Sequence, residues 1–223
     1  MKVIPNLLTV FRIIAPLFIL CGVLFLAHPY GAWVGLNIFV LAAGTDFLDG
    51  FLARRWNVQS DLGRILDPIS DKVLVLVTGV ILLVAHTVAI GRIDVLLLVP
   101  FALILIRELV VAGLREGLAG RITLHASWTA KAKTAVQMLA VGVFFLLPII
   151  SHRLGVLTQG MDDIVFQGIL ARSIEDEIGL LQMVTAINIV QPAVYFLFWL
   201  AAILSWVSAL GYFRQVKLER QSV

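Results

Sequence analysis

Four aspartates carry the chemistry available to this sequence: Asp46, Asp49, Asp67 and Asp71 fall within 26 consecutive positions. On a helix, Asp46, Asp49, Gly50 and Ala53 occupy positions i, i+3, i+4 and i+7 and share one face. Asp67 and Asp71 share a face of the following helix by the same i, i+4 logic. Two carboxylate pairs on successive helices can therefore converge on one point. Four clustered carboxylates repel one another and cannot all stay ionised without cations between them. Hard oxygen donors suit Mg²⁺ or Mn²⁺, and no nearby His or Cys set points to zinc. Two such ions about 3.5–4 Å apart clamp the attacking and leaving oxygens of a phosphoryl transfer. Gly50 and Ala53 leave the aspartate face uncrowded, with room for a flat or phosphate-bearing ligand. Arg54 can reach a phosphate from the helix end. Two other arrangements use the same residues: a solvated helix end paired with Arg54 and Arg55, and a carboxylate-lined ion transporter. Four aspartates with Gly and Ala at these spacings exceed what a solvated end needs. Transporters, for their part, spread acids along helices at mid-membrane.

The elements that must position these residues are read from composition. The chain has 223 residues, 61% of them hydrophobic and 14% charged. A soluble domain averages roughly 45–50% apolar and ~25% charged. An ordinary soluble domain, a disordered chain and a disulfide-stapled secreted domain are excluded, since Cys21 is the only cysteine. Cys21 is expected to be a small buried hydrophobe. A bilayer-crossing helix needs ~20 apolar residues, and six segments qualify. They run from about Leu7 to Ala27, from Tyr30 to Thr45, from Val73 to Ile90, and from Ile93 through the turns holding Arg107 and Arg115. The fifth is Thr134 to Ile150. Residues Ile178 to Phe213 are uncharged for 36 positions. Pro192 suits a first helical turn, so the sixth span is placed at Pro192 to Phe213, with residues 178–190 as an interfacial or re-entrant piece. Arg12 interrupts the first span and is expected to snorkel to the near interface. The expected fold is an all-α integral membrane protein with six transmembrane helices, forming a single domain over residues 1–223.

Charge placement orients these spans. Of the 17 Lys and Arg residues, 14 fall in the tails, the second-to-third and fourth-to-fifth connections, and the adjoining span ends. The positive-inside rule then puts both termini in the cytoplasm. The sequence pI near 9.3 thus reports topology and anionic lipid or substrate, with no nucleic acid implied. Nine charges lie within residues 46–72, at the cytoplasmic ends of two spans. The segment from about residue 151 to 190 lies on the outer face, is net acidic and carries no recognisable motif. His28, His86, His125 and His152 are scattered and receive no function.

The pattern Asp46-x2-Asp49-Gly50-x2-Ala53-Arg54-x8-Gly63-x3-Asp67-x3-Asp71 resembles the signature of the CDP-alcohol phosphotransferase family, with all eight fixed positions present. The resemblance implies a six-helix membrane fold, usually a homodimer. It implies that Asp46, Asp49, Asp67 and Asp71 bind two Mg²⁺ or Mn²⁺ ions. Asp71 would also be the catalytic base on the acceptor hydroxyl. Asp49, Gly50, Ala53, Arg54 and Gly63 would hold the CDP moiety.

Three further stretches, Ile4 to Arg12, Arg107 to Glu116 and Ser127 to Met138, look like those of the bacterial phosphatidylglycerophosphate synthase branch of the family. This likeness covers about residues 3–150. It implies transfer of a phosphatidyl group from CDP-diacylglycerol to glycerol 3-phosphate at the cytoplasmic face of a bacterial inner membrane. Glycerol 3-phosphate is a small dianion and needs fixed cations. Arg107, Arg115, Lys131 and Lys133 bracket one cytoplasmic turn and can surround a phosphate. The same residues also serve topology, and Arg107 can simply pair with a glutamate. Inositol phosphate, or phosphatidylglycerol as in a cardiolipin synthase, are the alternative acceptors. The family usually joins its fifth and sixth spans by a short loop, so the 151–190 insert is atypical.

Overall fold

A computed structural model describes the backbone of residues 3–56, 61–117 and 128–221, and the side chains of residues 7–45, 66, 69–114 and 132–211. The described residues form helices and no strand. They are α1 (Val3–Phe25), α2 (Tyr30–Trp56), α3 (Asp61–Ile90), α4 (Val95–Gly117), α5 (Trp128–Phe144), α6 (Leu146–Thr158), α7 (Asp163–Leu170) and α8 (Leu180–Gln221). Helices close every backbone hydrogen bond within one segment, which is the condition for crossing hydrocarbon. Five described stretches are long and apolar enough to cross a membrane: Leu7–Phe25, Ile69–Ile90, Val95–Leu114, Ala132–Thr158 and Leu180–Gly211. Tyr30–Thr45 is a shorter apolar helix. The protein is an integral membrane protein built from helices.

Two compact units divide the chain. One comprises Met1–His86 and Val141–Ala193, the other Thr87–Ala140 and Val194–Val223. In the first, α1 and α2 pack against each other with their backbones in close approach. A Cβ built on Gly31 would lie 2.4 Å from the carbonyl oxygen of Gly22, so a side chain at position 31 would force the helices apart. Ala15 and Ala42 are fully buried, the small-residue packing that brings helices together where lipid offers no hydrophobic drive. Phe39 meets Phe145 at a ring separation of 6.0 Å. In the second unit Phe101 meets Phe198 at 6.2 Å. The Tyr195 hydroxyl donates to Asp94 Oδ2 at 2.7 Å. Asp94 also caps α4, its Oδ1 accepting from Leu96 N at 3.1 Å.

Leu17, Phe18, Leu24 and Phe25 are exposed along α1, as a lipid-facing surface requires. Cys21 lies on that exposed side, contrary to the burial expected for it. Lipid accepts an apolar thiol as readily as a protein core does. Arg12 departs further from expectation: it does not snorkel but is completely buried.

The segment expected to be a motif-free insert at residues 151–190 is ordered helix and capped turn. α6 carries the fifth apolar stretch on to Thr158, with a break at Phe145. Pro148 explains the break, because it has no N–H to offer the carbonyl of Phe144. Asp162 caps α7 by accepting from Ile164 N at 2.9 Å. Arg172 closes the helix in the left-handed region (φ 58°), and Ser173 N reaches back to Gly168 O at 2.9 Å, a Schellman-type stop. α8 then begins at Leu180, twelve residues before Pro192, which sits inside it. The sequence reading started a helix at Pro192, and the structure overturns that. A helix starting there would leave three N–H groups to be satisfied beside hydrocarbon, Pro192 itself having none, whereas a continuous helix forfeits one bond.

Asp176 secures the start of α8, accepting from Leu180 N and Leu181 N at 2.8 Å each. Desolvation pushes its carboxyl upward, but bonds from the N–H groups of Leu181, Leu180, Gly179 and Ile178 outweigh this and hold it below the ordinary carboxylate value. A depressed native value gives stability that is present above the unfolded value and lost as pH falls through the native one. Asp176→Ala should therefore lower the melting temperature in detergent at pH 7. The gap from wild type should close as the pH is taken below about 4. A gap that persists unchanged into that range would contradict the capping role.

Candidate active site

The signature aspartates sit where two helices end and begin. Asp46, Asp49, Gly50, Ala53 and Arg54 lie on the last three turns of α2, which closes at Trp56. Gly63, Asp67 and Asp71 lie on the first three turns of α3, which opens at Asp61. The helical spacing inferred from sequence is thus realised in the backbone, with each Asp pair on one helix. The side chains of Asp46, Asp49, Gly50, Ala53, Arg54, Gly63 and Asp67, and residues 57–60, lie outside the described residues.

Asp71 is described, and its environment is specific. Arg12 Nη1 on α1 donates to Asp71 Oδ1 at 2.5 Å. The Arg12 side chain is wholly buried, while that of Asp71 keeps 29% of its surface exposed. The carboxylate therefore has a closed protein side and an open side. Thr9, one turn before Arg12, and Ser70, next to Asp71 in sequence, are also fully buried. Sequence reasoning missed Arg12 as a site residue. The available signal was the i, i+3 placement of Thr9 and Arg12 in an apolar span, which puts both polar groups on one face.

In the second unit, Arg107, Glu108 and Lys133 form a buried charge cluster. Arg107 donates from Nε to Ser205 O at 2.9 Å, from Nη1 to Glu108 Oε1 at 2.9 Å, and from Nη2 to Ser208 Oγ at 3.0 Å. Lys133 Nζ bonds the same Glu108 oxygen. Two cations share one carboxylate, all three residues less than a tenth exposed. The cluster joins α4, α5 and α8. Arg107 does pair with a glutamate, the second role foreseen for it. Gln137, one turn beyond Lys133 on α5, is buried, and its Nε2 has no hydrogen-bond partner among the described residues. Arg115 lies on the last turn of α4 and Lys131 on the first turn of α5; their side chains lie outside the described residues.

Of the histidines, the structure brings together two that the sequence left scattered. His28, between α1 and α2, stands 5.4 Å from His152 of α6, ring to ring. Desolvation, then the neighbouring charge of His152, lowers the His28 pKa and favours its neutral form. No group of three or more His, Cys, Asp or Glu with metal-binding geometry occurs among the described residues. Three of the four signature carboxylates lie outside that set. By donor chemistry the four carboxylates fit a hard divalent ion, and no softer ligand accompanies them.

A helix pair bearing this aspartate signature at its turn, in an all-helical membrane protein, defines a class. The sequence profile of the CDP-alcohol phosphatidyltransferase family matches residues 2–170, and the chain belongs to that family. Among its relatives, a protein of Cereibacter sphaeroides named CDP-diacylglycerol–glycerol-3-phosphate 3-phosphatidyltransferase is 35% identical over 213 residues, covering 95% of this chain and 94% of its own length. Proteins of the same name from Escherichia coli K12 and Salmonella typhimurium are each 39% identical over 142 residues. Those matches cover 62% of this chain and 74% of theirs.

The buried cluster generates a stability prediction. Glu108→Ala leaves two buried cations facing each other and should destabilise the protein by about 3–5 kcal/mol, read as a lowered unfolding midpoint in detergent. Glu108→Ala combined with Lys133→Met should recover part of that loss. A double variant no more stable than the single one would show that the cations are not held by Glu108.

Proposed function

We propose that this protein transfers a phosphatidyl group from CDP-diacylglycerol to sn-glycerol 3-phosphate, giving phosphatidylglycerol phosphate and CMP. The observation that carries the reading is the complete signature, whose eight fixed residues lie at the end of α2 and the start of α3. The relative that matches nearly end to end bears the name of this activity. The reading places the chain in a bacterial inner membrane as a single catalytic domain of six spans, the five long apolar stretches plus Tyr30–Thr45. Six crossings return both termini to one side, and the basic-residue bias makes that side cytoplasmic. The active site then faces the cytoplasm, where α2 ends and α3 begins. A homodimer, implied by the family resemblance, belongs to the same proposal.

In the mechanism, Gly50, Ala53, Arg54 and Gly63 hold the CDP moiety, with Asp49. Asp46, Asp49, Asp67 and Asp71 would hold two Mg²⁺ or Mn²⁺ ions, which supply charge neutralisation at the pyrophosphate. Arg107, Arg115, Lys131 and Lys133 bind the acceptor phosphate. Asp71 takes the proton from the primary hydroxyl of glycerol 3-phosphate. The hydroxyl oxygen attacks the phosphorus that carries diacylglycerol, in line with the departing oxygen of CMP. The new P–O bond forms as the pyrophosphate P–O bond breaks. The acyl chains stay in the bilayer throughout.

Purified protein in mixed micelles with Mg²⁺ and CDP-diacylglycerol should release CMP when glycerol 3-phosphate is added. Silence with every acceptor would sink the transferase reading and return attention to ion transport. Release with inositol phosphate but not glycerol 3-phosphate would reassign the acceptor. Asp71→Asn should remain folded and lose about 10²–10⁴-fold in kcat. Lys131→Ala should raise KM for glycerol 3-phosphate more than KM for the lipid donor. Equal effects on both would remove Lys131 from the acceptor site.

A further inference from the structure

We infer that Arg12 is a positioning residue for Asp71. It fixes the carboxylate from α1, so that the last aspartate of the signature presents a single geometry to metal and acceptor. This inference rests on the proposed function and deepens it.

The observations are geometric. Arg12 and Asp71 are 59 positions apart and meet through one charge-assisted bond of 2.5 Å, Nη1 to Oδ1. A bond of that kind to one named oxygen stops rotation of the carboxylate about its Cβ–Cγ axis. The guanidinium has no exposed surface at all. A surface ion pair exchanges partners with water, and this one cannot. Asp71 retains partial exposure, so the carboxylate is gripped on its protein side and approachable on the other. An arginine placed for topology would lie at the interface with its head in water. Burying a guanidinium instead is costly unless its partner repays the loss of solvation. The charge also matters in place. A fixed cation against Asp71 favours its ionised form before any metal arrives.

The two effects predict opposite signs for metal binding, which makes the inference testable apart from turnover. If Arg12 acted through its charge alone, neutralising it would leave the aspartates more negative and tighten the binding of a divalent cation. If it positions Asp71, neutralising it releases a ligand and weakens binding. Outer-shell partners of this sort typically cost about 10–100-fold in metal affinity or activity when removed.

The experiment uses full-length protein in detergent, with Mn²⁺ binding followed by electron paramagnetic resonance in the absence of substrate, and turnover measured separately by CMP release. Arg12→Gln is expected to weaken Mn²⁺ binding and lower kcat, each by about 10-fold or more, while KM for glycerol 3-phosphate moves by less than about 3-fold. Arg12→Lys, which keeps a donor but not the planar fork, should recover part of both losses and provides the readout if the glutamine variant does not fold. Combining Arg12→Gln with Asp71→Asn should weaken Mn²⁺ binding no further than Asp71→Asn alone, because one residue acts through the other. Mn²⁺ affinity that is unchanged or tighter in a folded Arg12→Gln or Arg12→Lys protein overturns the inference, and so does full additivity in the double variant. A wild-type protein that binds Mn²⁺ but releases no CMP overturns the transferase reading and leaves the Arg12–Asp71 relation to be decided by the Mn²⁺ measurements.

Discussion

A charge inside a helical membrane protein must find an opposite charge, a set of hydrogen bonds or a route to water, and this requirement organises the described part of the molecule. Apolar side chains cannot by themselves select which helices meet, since lipid satisfies them equally well. The polar ties do the selecting. Arg12 and Asp71 join α1 to α3 within one unit. Glu108, with Arg107 and Lys133, joins α4, α5 and α8 within the other. Tyr195 and Asp94 add a second tie between α8 and the start of α4. Around these points the packing is made of small residues and rings, such as Gly22 against Gly31 and Phe39 against Phe145.

The same requirement explains where the chemistry is placed. The proposed site for pyrophosphate and divalent cations needs several carboxylates together, and helix ends tolerate such a group better than mid-span positions do. The signature lies at the end of α2 and the beginning of α3. Asp71, the member furthest along α3, lies within the apolar stretch Ile69–Ile90 and bonds the buried Arg12.

Much of this was legible in the residues themselves. The i, i+3, i+4, i+7 spacing of Asp46, Asp49, Gly50 and Ala53 identified a helix face, and the apolar runs identified the long helices, because both are properties of a single helix. What escaped were properties of pairs. Arg12 reads as a snorkelling residue when its span is considered alone, since its partner is 59 positions away. Pro192 reads as a helix start because local propensity favours it there, yet the surroundings of α8 make a continuous helix cheaper. The fifth apolar stretch runs past Ile150 to Thr158, because the histidine and arginine at 152 and 153 do not end a helix that Pro148 has already broken and restarted. The pairing of His28 with His152 joins a loop to a distant helix and left no trace in spacing.

The buried Arg12 has a consequence for how the chain is made. α1 is synthesised before α3 and carries a guanidinium whose counter-charge, Asp71, follows 59 positions later. At the centre of a lone helix such a group costs about 2.5–3.5 kcal/mol on insertion scales, and near the end of the helix it can remain hydrated. The burial of Arg12 therefore goes with the presence of α3, which supplies the carboxylate it bonds.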